Sequence, residues 1–164
     1  MKKWTEYLEA VKTFSAEWGE PQWMTDLRVN ALNKIDELPL PVIEKVKFAR
    51  WNLYNVKPEH QEAVGTIPSF DQMKDNPMIV QAGETTVFEQ ISPKLAEQGV
   101  IFTDLLTAMQ EHPDLVKEYY MQKAVPVEEN SLTALHAAFM NNGIFLYVPK
   151  NVVIEEPIES LFLH

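Results

Sequence analysis

The side chains best able to do chemistry are four histidines, and their spacing does not favour a metal site. They are His60, His112, His136 and His164. A zinc site usually takes ligands that lie close in sequence or in a cluster assembled by the fold, whereas no two of these histidines are three or four residues apart. We interpret His136, next to Leu135 in a helical pattern, as a structural residue. His112 precedes Pro113 at a predicted helix start, where a capping role is expected.

Three pairs of acidic residues are the next candidates, because general acid–base catalysis needs two carboxylates in different environments. The pairs are Asp36-Glu37, Glu128-Glu129 and Glu155-Glu156. Each lies in a predicted turn near other charges, which is typical of a solvated surface. The sequence has no glycine-rich phosphate loop, no serine in a nucleophile elbow and no cysteine. It therefore predicts no catalytic residue, no cofactor-binding residue and no metal ligand.

Two aromatic pairs could bind a ligand through ring contacts. Arg50-Trp51 joins a cation to an aromatic ring, and Tyr119-Tyr120 offers two adjacent rings. For the first pair we favour a core tryptophan beside a surface arginine. For the second we favour one core ring and one edge ring.

The balance of charge excludes several classes of partner. The chain carries 14 basic and 24 acidic residues, a formal net charge of −10. A nucleic-acid or anionic-membrane surface requires the opposite sign. The N-terminus places Glu6 and Glu9 where a signal peptide would be apolar. We therefore expect a soluble cytoplasmic protein that binds neither nucleic acid nor membrane.

Helical spacing in the first part of the chain predicts two helices. The first covers residues 3–17 and is ended by Gly19. The second begins with Pro21 as its first helical residue and stops near Leu38, before Pro39. Its expected buried face carries Trp23, Leu27, Ala31 and Ile35. Residues 40–76 are predicted to be rich in loops, with a proline turn at residues 67–70.

Further helices and short strands are predicted beyond residue 76. A hairpin is expected at Met78–Ala82 and Thr85–Gln90, with a short strand at residues 100–102. Helices are expected to begin at Ser92-Pro93, Thr103, Pro113 and Asn130 or Ser131. Gly99 ends the first of these, His112-Pro113 interrupts the second, and Asn142-Gly143 in left-handed geometry ends the last. The inward residues of the last two are predicted to be Leu115, Val116, Tyr119 and Tyr120, and then Leu132, Leu135 and Phe139.

After Gly143 the helical spacing gives way to three short apolar runs joined by turns. They are residues 144–148, 152–154 and 158–163, with a turn at Pro149-Lys150-Asn151. This pattern predicts the first rung of a β-solenoid. A rung without a neighbour leaves an open strand edge, so we expect this fragment to form a homodimer through strands 144–163.

Several segments resemble the N-terminal part of the SufB/SufD family of iron–sulfur cluster assembly proteins. The matching segments are residues 20–28 (Glu-Pro-Gln-Trp-Met-Thr-Asp-Leu-Arg), 38–41 (Leu-Pro-Leu-Pro), 99–105 (Gly-Val-Ile-Phe-Thr-Asp-Leu), 112–116 (His-Pro-Asp-Leu-Val), 130–139 (Asn-Ser-Leu-Thr-Ala-Leu-His-Ala-Ala-Phe) and 142–152 (Asn-Gly-Ile-Phe-Leu-Tyr-Val-Pro-Lys-Asn-Val). The absence of cysteine favours the SufD-like branch. Relatives often have Asn at the position of His136, which argues against a ligand role there.

The resemblance implies a fold and a role. It implies an α+β fold, in which residues 1–142 form a helical N-terminal domain with a small β-sheet. Residues 143–164 would then begin a right-handed parallel β-helix. It also implies a non-catalytic scaffold subunit, without a cofactor in this fragment, whose partners are SufB-like and SufC-like subunits, the latter an ABC-type ATPase. Two alternatives stay open: a self-contained protein-interaction module, and a small-ligand enzyme whose site forms only in the tertiary structure.

Overall fold

A computed structural model describes residues 4–56 and 76–163 of the chain. Within these ranges it has six α-helices and five strands, so the predicted α+β class is confirmed. The helices are α1 (Leu8–Glu17), α2 (Gln22–Lys34), α3 (Pro93–Glu97), α4 (Leu105–Glu111), α5 (Pro113–Tyr119) and α6 (Ser131–Phe139). The strands are β1 (Met78–Ala82), β2 (Thr85–Gln90), β3 (Ile101–Asp104), β4 (Ile144–Tyr147) and β5 (Glu159–Leu163). The predicted turn at residues 67–70, His60 and His164 lie outside the described residues.

The chain forms two compact units, and each combines two separate stretches of sequence. Unit 1 consists of Met1–Glu59 with Met109–Met140, and unit 2 consists of His60–Ala108 with Asn141–His164. The predicted domain division at residues 142 and 143 concerns a longer protein and stays a prediction.

Unit 1 is helical in its described part and buries an apolar core between α1, α2 and α6. The core includes Trp4, Val11, Leu32 and Ala138. A 3₁₀ turn at Trp4–Tyr7 precedes α1, so the predicted first helix is confirmed apart from its opening turn. Gly19 follows α1 with a φ of 64°, the left-handed geometry in which glycine is least strained.

Two details predicted for α2 are wrong, and its predicted buried face is confirmed only at Ala31 and Ile35. Pro21 is the extended residue before the helix rather than its first residue, and α2 ends at Lys34, four residues short of the expected stop. The buried face is rotated by about one residue from the predicted one. It carries Met24, Arg28, Ala31 and Leu32, with Ile35 just beyond the helix. The rotation brings Arg28 into the interior, where it meets a carboxylate.

The last helix of unit 1 begins as predicted but ends earlier. Asn130 caps α6, and its Oδ1 accepts hydrogen bonds from the backbone N–H groups of Leu132 (2.9 Å) and Thr133 (3.1 Å). The Thr133 hydroxyl oxygen accepts in turn from the Asn130 N–H at 3.0 Å. The helix stops at Phe139 rather than Asn141, and neither Asn142 nor Gly143 has a positive φ. The predicted left-handed stop is therefore wrong.

Replacing Asn130 by alanine is expected to lower the free energy of unfolding by about 1 kcal/mol, because two backbone donors lose their acceptor. Urea unfolding followed by tryptophan fluorescence measures the change. All four tryptophans (Trp4, Trp18, Trp23 and Trp51) belong to unit 1, so this signal reports on the unit that contains α6. Asn130→Ser preserves an acceptor and should stay near the original stability. Equal stability of the alanine and serine variants would contradict this role of the cap.

Unit 2 contains two small sheets. The strand order is β2-β1-β5 in the first, where β1 pairs antiparallel with β2 and parallel with β5. The second sheet pairs β3 with β4 antiparallel. The predicted hairpin is confirmed at both strands, and all five residues of β1 are buried as a central strand requires. Of the three runs predicted after Gly143, the first and the third are strands.

The remaining predictions for unit 2 are partly wrong. Ser92 caps α3 and Gly99 ends it with a φ of 82°, as expected. Thr103 lies inside β3, and the side chain of Asp104 instead accepts from the Thr107 N–H at 2.9 Å at the start of α4. Residues 152–154 form no strand, since the hydrogen-bonded turn from Pro149 to Val152 leads into irregular chain.

Candidate functional site

One concave surface of unit 1 is an apolar groove, here called the α6 groove. Residues 39–43 and Phe48 form one side of its lining, and Leu132 and His136 on α6 form another. Val125, from the chain between α5 and α6, also lines it. Its volume is about 910 Å³. Pockets that bind small molecules have volumes of roughly 300–1,000 Å³.

The α6 groove is bordered by apolar side chains that are unusually exposed. Val42 is 99% exposed, and Ile43 and Val125 are also exposed. Trp51, three residues beyond Phe48, is 59% exposed and touches the Phe48 ring edge-on at 5.5 Å between centroids. The predicted core position of Trp51 is therefore wrong. A cluster of exposed large apolar residues beside a groove is typical of an interaction surface.

A tight turn shapes the wall of the α6 groove between Ile43 and Phe48. The Val46 N–H donates to the Ile43 carbonyl at 3.1 Å, and Lys45 within this turn has a φ of 66°. A lysine in left-handed geometry is disfavoured by contacts of its Cβ with the backbone. The turn holds Val42 and Ile43 outward despite this local cost.

An ion pair lies in the interior of unit 1, between α2 and the residues just before it. Arg28 donates from Nε to Glu20 Oε2 at 2.7 Å and from Nη2 to Glu20 Oε1 at 2.6 Å. Both side chains are only 1% exposed. The third guanidinium nitrogen donates to the Ala138 carbonyl at 3.2 Å, in the last turn of α6, and the Phe14 ring lies 5.2 Å away. This set fixes α2 against α6 and serves packing rather than chemistry.

Two titratable groups near Arg28 have shifted pKa values. Burial raises the pKa of the Tyr120 hydroxyl to about 12, with smaller effects from Arg28 and Glu20. The hydroxyl has no hydrogen-bond partner among the described residues. Desolvation, helped by the positive charge of Arg28, lowers the pKa of His136 below its ordinary value. A neutral imidazole is therefore the state favoured in the α6 groove at neutral pH.

The remaining residues considered for chemistry are dispersed. His112 occupies the residue before α5 but its side chain makes no capping hydrogen bond. Of the acidic pairs, Asp36-Glu37 and Glu128-Glu129 are exposed, as predicted, and Glu155 is exposed beside a half-buried Glu156. Among the described residues no three His, Asp or Glu side chains come together as a metal site. Tyr119 is exposed and Tyr120 mostly buried, which confirms one edge ring and one core ring. The predicted inward position of Tyr119 on α5 is therefore wrong.

Unit 2 contains a network of hydrogen bonds made by one buried and two partly buried amide side chains. Gln81 on β1 donates from Nε2 to the Gly143 carbonyl at 3.0 Å. Asn142 donates to the Gly83 carbonyl at 2.8 Å, and Asn141 donates to Glu84 at 3.1 Å. These bonds hold the chain before β4 against the β1–β2 hairpin. The network explains why Asn142 and Gly143 do not act as a helix stop.

Comparison with models of protein families shows to which family the chain belongs. The model of the SufBD protein N-terminal region matches residues 69–159, more than half of the sequence. The chain belongs to the SufBD family. The match confirms the resemblance to the SufB/SufD family that was noted in residues 99–105, 112–116 and 130–139.

Individual relatives of the SufBD family agree with the match. The chain is 40% identical to the iron–sulfur cluster assembly protein SufD of Bacillus subtilis (strain 168), over 95% of this chain and 38% of that protein. It is 30% identical to a SufBD family protein of Staphylococcus haemolyticus, over 93% of this chain and 36% of that protein. A SufBD family protein of Staphylococcus aureus (strain USA300) is 29% identical over similar shares, 93% and 36%. The chain therefore spans somewhat more than a third of the length of these curated relatives.

None of the helices in residues 4–56 and 76–163 is both long enough and apolar enough to cross a lipid bilayer.

Proposed function

We propose that this chain is the N-terminal part of a SufD-like subunit that acts in iron–sulfur cluster assembly as a cytoplasmic, non-catalytic scaffold component. Its partners would be a SufB-like subunit and a SufC-like ABC-type ATPase. The observation that carries the proposal is the 40% identity to a protein named SufD over 95% of this chain. The two staphylococcal relatives quoted above, which carry only the family name, are about ten percentage points less similar.

The physical character of the described surface supports a scaffold role over catalysis. The α6 groove is lined mostly by apolar side chains, and the buried ion pair of unit 1 is fully engaged in holding α2 and α6. An enzyme site would instead need convergent polar groups aimed at a reacting atom. A protein surface that recognises other proteins needs exposed apolar residues, which border the α6 groove.

We also propose that β5 begins a parallel β-helix in the longer protein. Parallel pairing of β5 with β1 supports this, because the rungs of a β-helix stack in the same manner. β5 is the outer strand of its sheet. The Glu159 N–H and the Leu163 carbonyl bond towards β1, so the alternating backbone groups of Ser160 and Phe162 face the open edge. A following strand could pair there.

Co-purification with neighbouring subunits tests the proposed function. The full-length protein, and a version lacking residues 1–142, are each expressed with candidate SufB-like and SufC-like proteins. We expect the full-length protein to elute with both in a stable complex. Failure of the full-length protein to bind either partner would refute the proposal. Equal recovery with the shortened version would show that residues 1–142 are not needed for assembly.

The open edge of β5 leads to a prediction about the isolated fragment 1–164. We expect it to self-associate at high micromolar concentration, because an exposed strand edge pairs readily with another copy. Sedimentation velocity measures this directly. Phe162→Lys places a charge on a side chain that is 47% exposed and should restore the monomer. Val153→Lys, at an exposed position outside any strand, is the matched control and should leave the dimer intact. A strictly monomeric fragment contradicts the prediction.

A further inference from the structure

The wall of the α6 groove carries positive charge in a chain that is otherwise strongly acidic. Residues 42–51 contain three cations, Lys45, Lys47 and Arg50, against one carboxylate, Glu44. All four side chains are exposed. Glu44 lies 3.7 Å from Lys45. This leaves Lys47 and Arg50, which flank the groove residue Phe48 in sequence, without an ion pair among the described residues. The net charge of this segment is opposite to the −10 of the whole chain.

The geometry of unit 1 restricts how a peptide could bind. Its described residues form no strand, so there is no sheet edge to which an extended peptide could add. The groove lining contains one phenyl ring, Phe48, with Trp51 edge-on beside it, whereas a groove that grips a polyproline helix is lined with aromatic residues along its length. An amphipathic helix needs only a continuous apolar groove and matching flanking charges.

From these observations we infer that the α6 groove is a docking site for an amphipathic helix of another protein, whose apolar face fills the groove and whose acidic flank lies against Lys47 and Arg50. Exposed Val42 and Ile43 would be covered by the apolar residues that repeat every three or four positions on such a helix. Glu129 lies on the α6 side of the groove lining. If the helix bound in the reverse orientation, its acidic flank would face Glu129 and be repelled. A second copy of this chain is expected to pair through the open edge of β5 in unit 2 rather than through the α6 groove of unit 1.

This inference does not depend on the proposed function, since it is tested on residues 1–164 alone. The probe is a fluorescein-labelled 15-residue helical peptide with leucines on one face and glutamates along one flank. A second peptide has the same composition with the leucines redistributed so that no face is continuous. A third has lysines in place of the glutamates. Fluorescence anisotropy should show saturable binding of the first peptide and affinities at least about ten-fold weaker for the other two.

Two sets of variants locate the binding to the groove. Val42→Asp with Ile43→Asp changes only exposed side chains and should weaken binding of the first peptide at least about ten-fold. Lys47→Glu with Arg50→Glu should reverse the preference between the glutamate and lysine peptides. The matched controls are Val153→Asp and Lys94→Glu, exposed residues of unit 2, and neither should change the affinity. Circular dichroism confirms that each variant is folded.

Three results would overturn the inference. Absence of saturable binding of the first peptide rejects the helix as occupant. Equal binding of the redistributed peptide, or full binding by the Val42→Asp, Ile43→Asp variant, indicates unspecific adhesion to an apolar surface. Sedimentation that shows a dimer of the original chain, abolished by the same two substitutions, identifies a second copy as the occupant instead.

Discussion

Replacing Arg28 by methionine is expected to lower the free energy of unfolding of unit 1 by about 3–5 kcal/mol. The substitution keeps most of the aliphatic volume but leaves the Glu20 carboxylate 1% exposed and without its cation. The Ala138 carbonyl in the last turn of α6 loses a donor at the same time. An unpaired charge in the interior has lost its hydration without compensation, and this cost exceeds that of the lost packing. Urea unfolding followed by tryptophan fluorescence gives the free energy of unfolding of unit 1 directly.

A double variant separates the cost of an unpaired charge from the value of the pair. Arg28→Met combined with Glu20→Leu removes both charges and should recover a large part of the lost stability, because apolar replacement of a whole buried pair is often neutral. Lys12→Met is the matched control, since Lys12 pairs with Glu9 at the surface, and should shift the unfolding midpoint only slightly. A single variant no less stable than the double variant would mean that Glu20 reaches solvent when Arg28 is absent.

The sequence predicts the local elements well because their signals are local. The β1–β2 hairpin follows from an apolar run, a Gly83-Glu84 turn and a β-branched run, and the structure confirms it at both ends. Ser92-Pro93 and Asn130 are caps whose partners lie two or three residues away, and both are confirmed. The parallel pairing of β5 with β1 could not be predicted in this way. Its partners are about 80 residues apart, and no local pattern encodes the choice.

Two of the errors share a physical cause, which is a tertiary contact that overrides a local preference. Asn142 and Gly143 look like a helix stop, but the Asn142 amide and the Gly143 carbonyl are taken by hydrogen bonds to the hairpin. Arg28 looks like a surface residue of α2 until Glu20 is placed beside it. Trp51 looks like a core residue, yet it is exposed beside the α6 groove.

Alkaline pH is expected to destabilise unit 1 through Tyr120. Burial raises the pKa of this hydroxyl to about 12 in the folded protein, against 10.0 for a free tyrosine. A raised pKa means that the folded state holds its proton more tightly than the unfolded state. The associated stability is complete below pH 10 and is lost as the pH rises from 10 to 12. The loss amounts to roughly 2–3 kcal/mol at the upper end.

Tyr120→Phe isolates this effect, because it removes the ionisable group and preserves the ring. The difference in free energy of unfolding between the original chain and the variant should decrease as the pH rises from 10 to 12. Alkaline effects that are common to both proteins cancel in this difference. Below pH 10 the variant should be as stable as the original or slightly more so, since the buried hydroxyl has no partner among the described residues. Tyr119→Phe changes the exposed neighbour. If it alters the alkaline limb as much as Tyr120→Phe, burial of Tyr120 is not the cause of the transition.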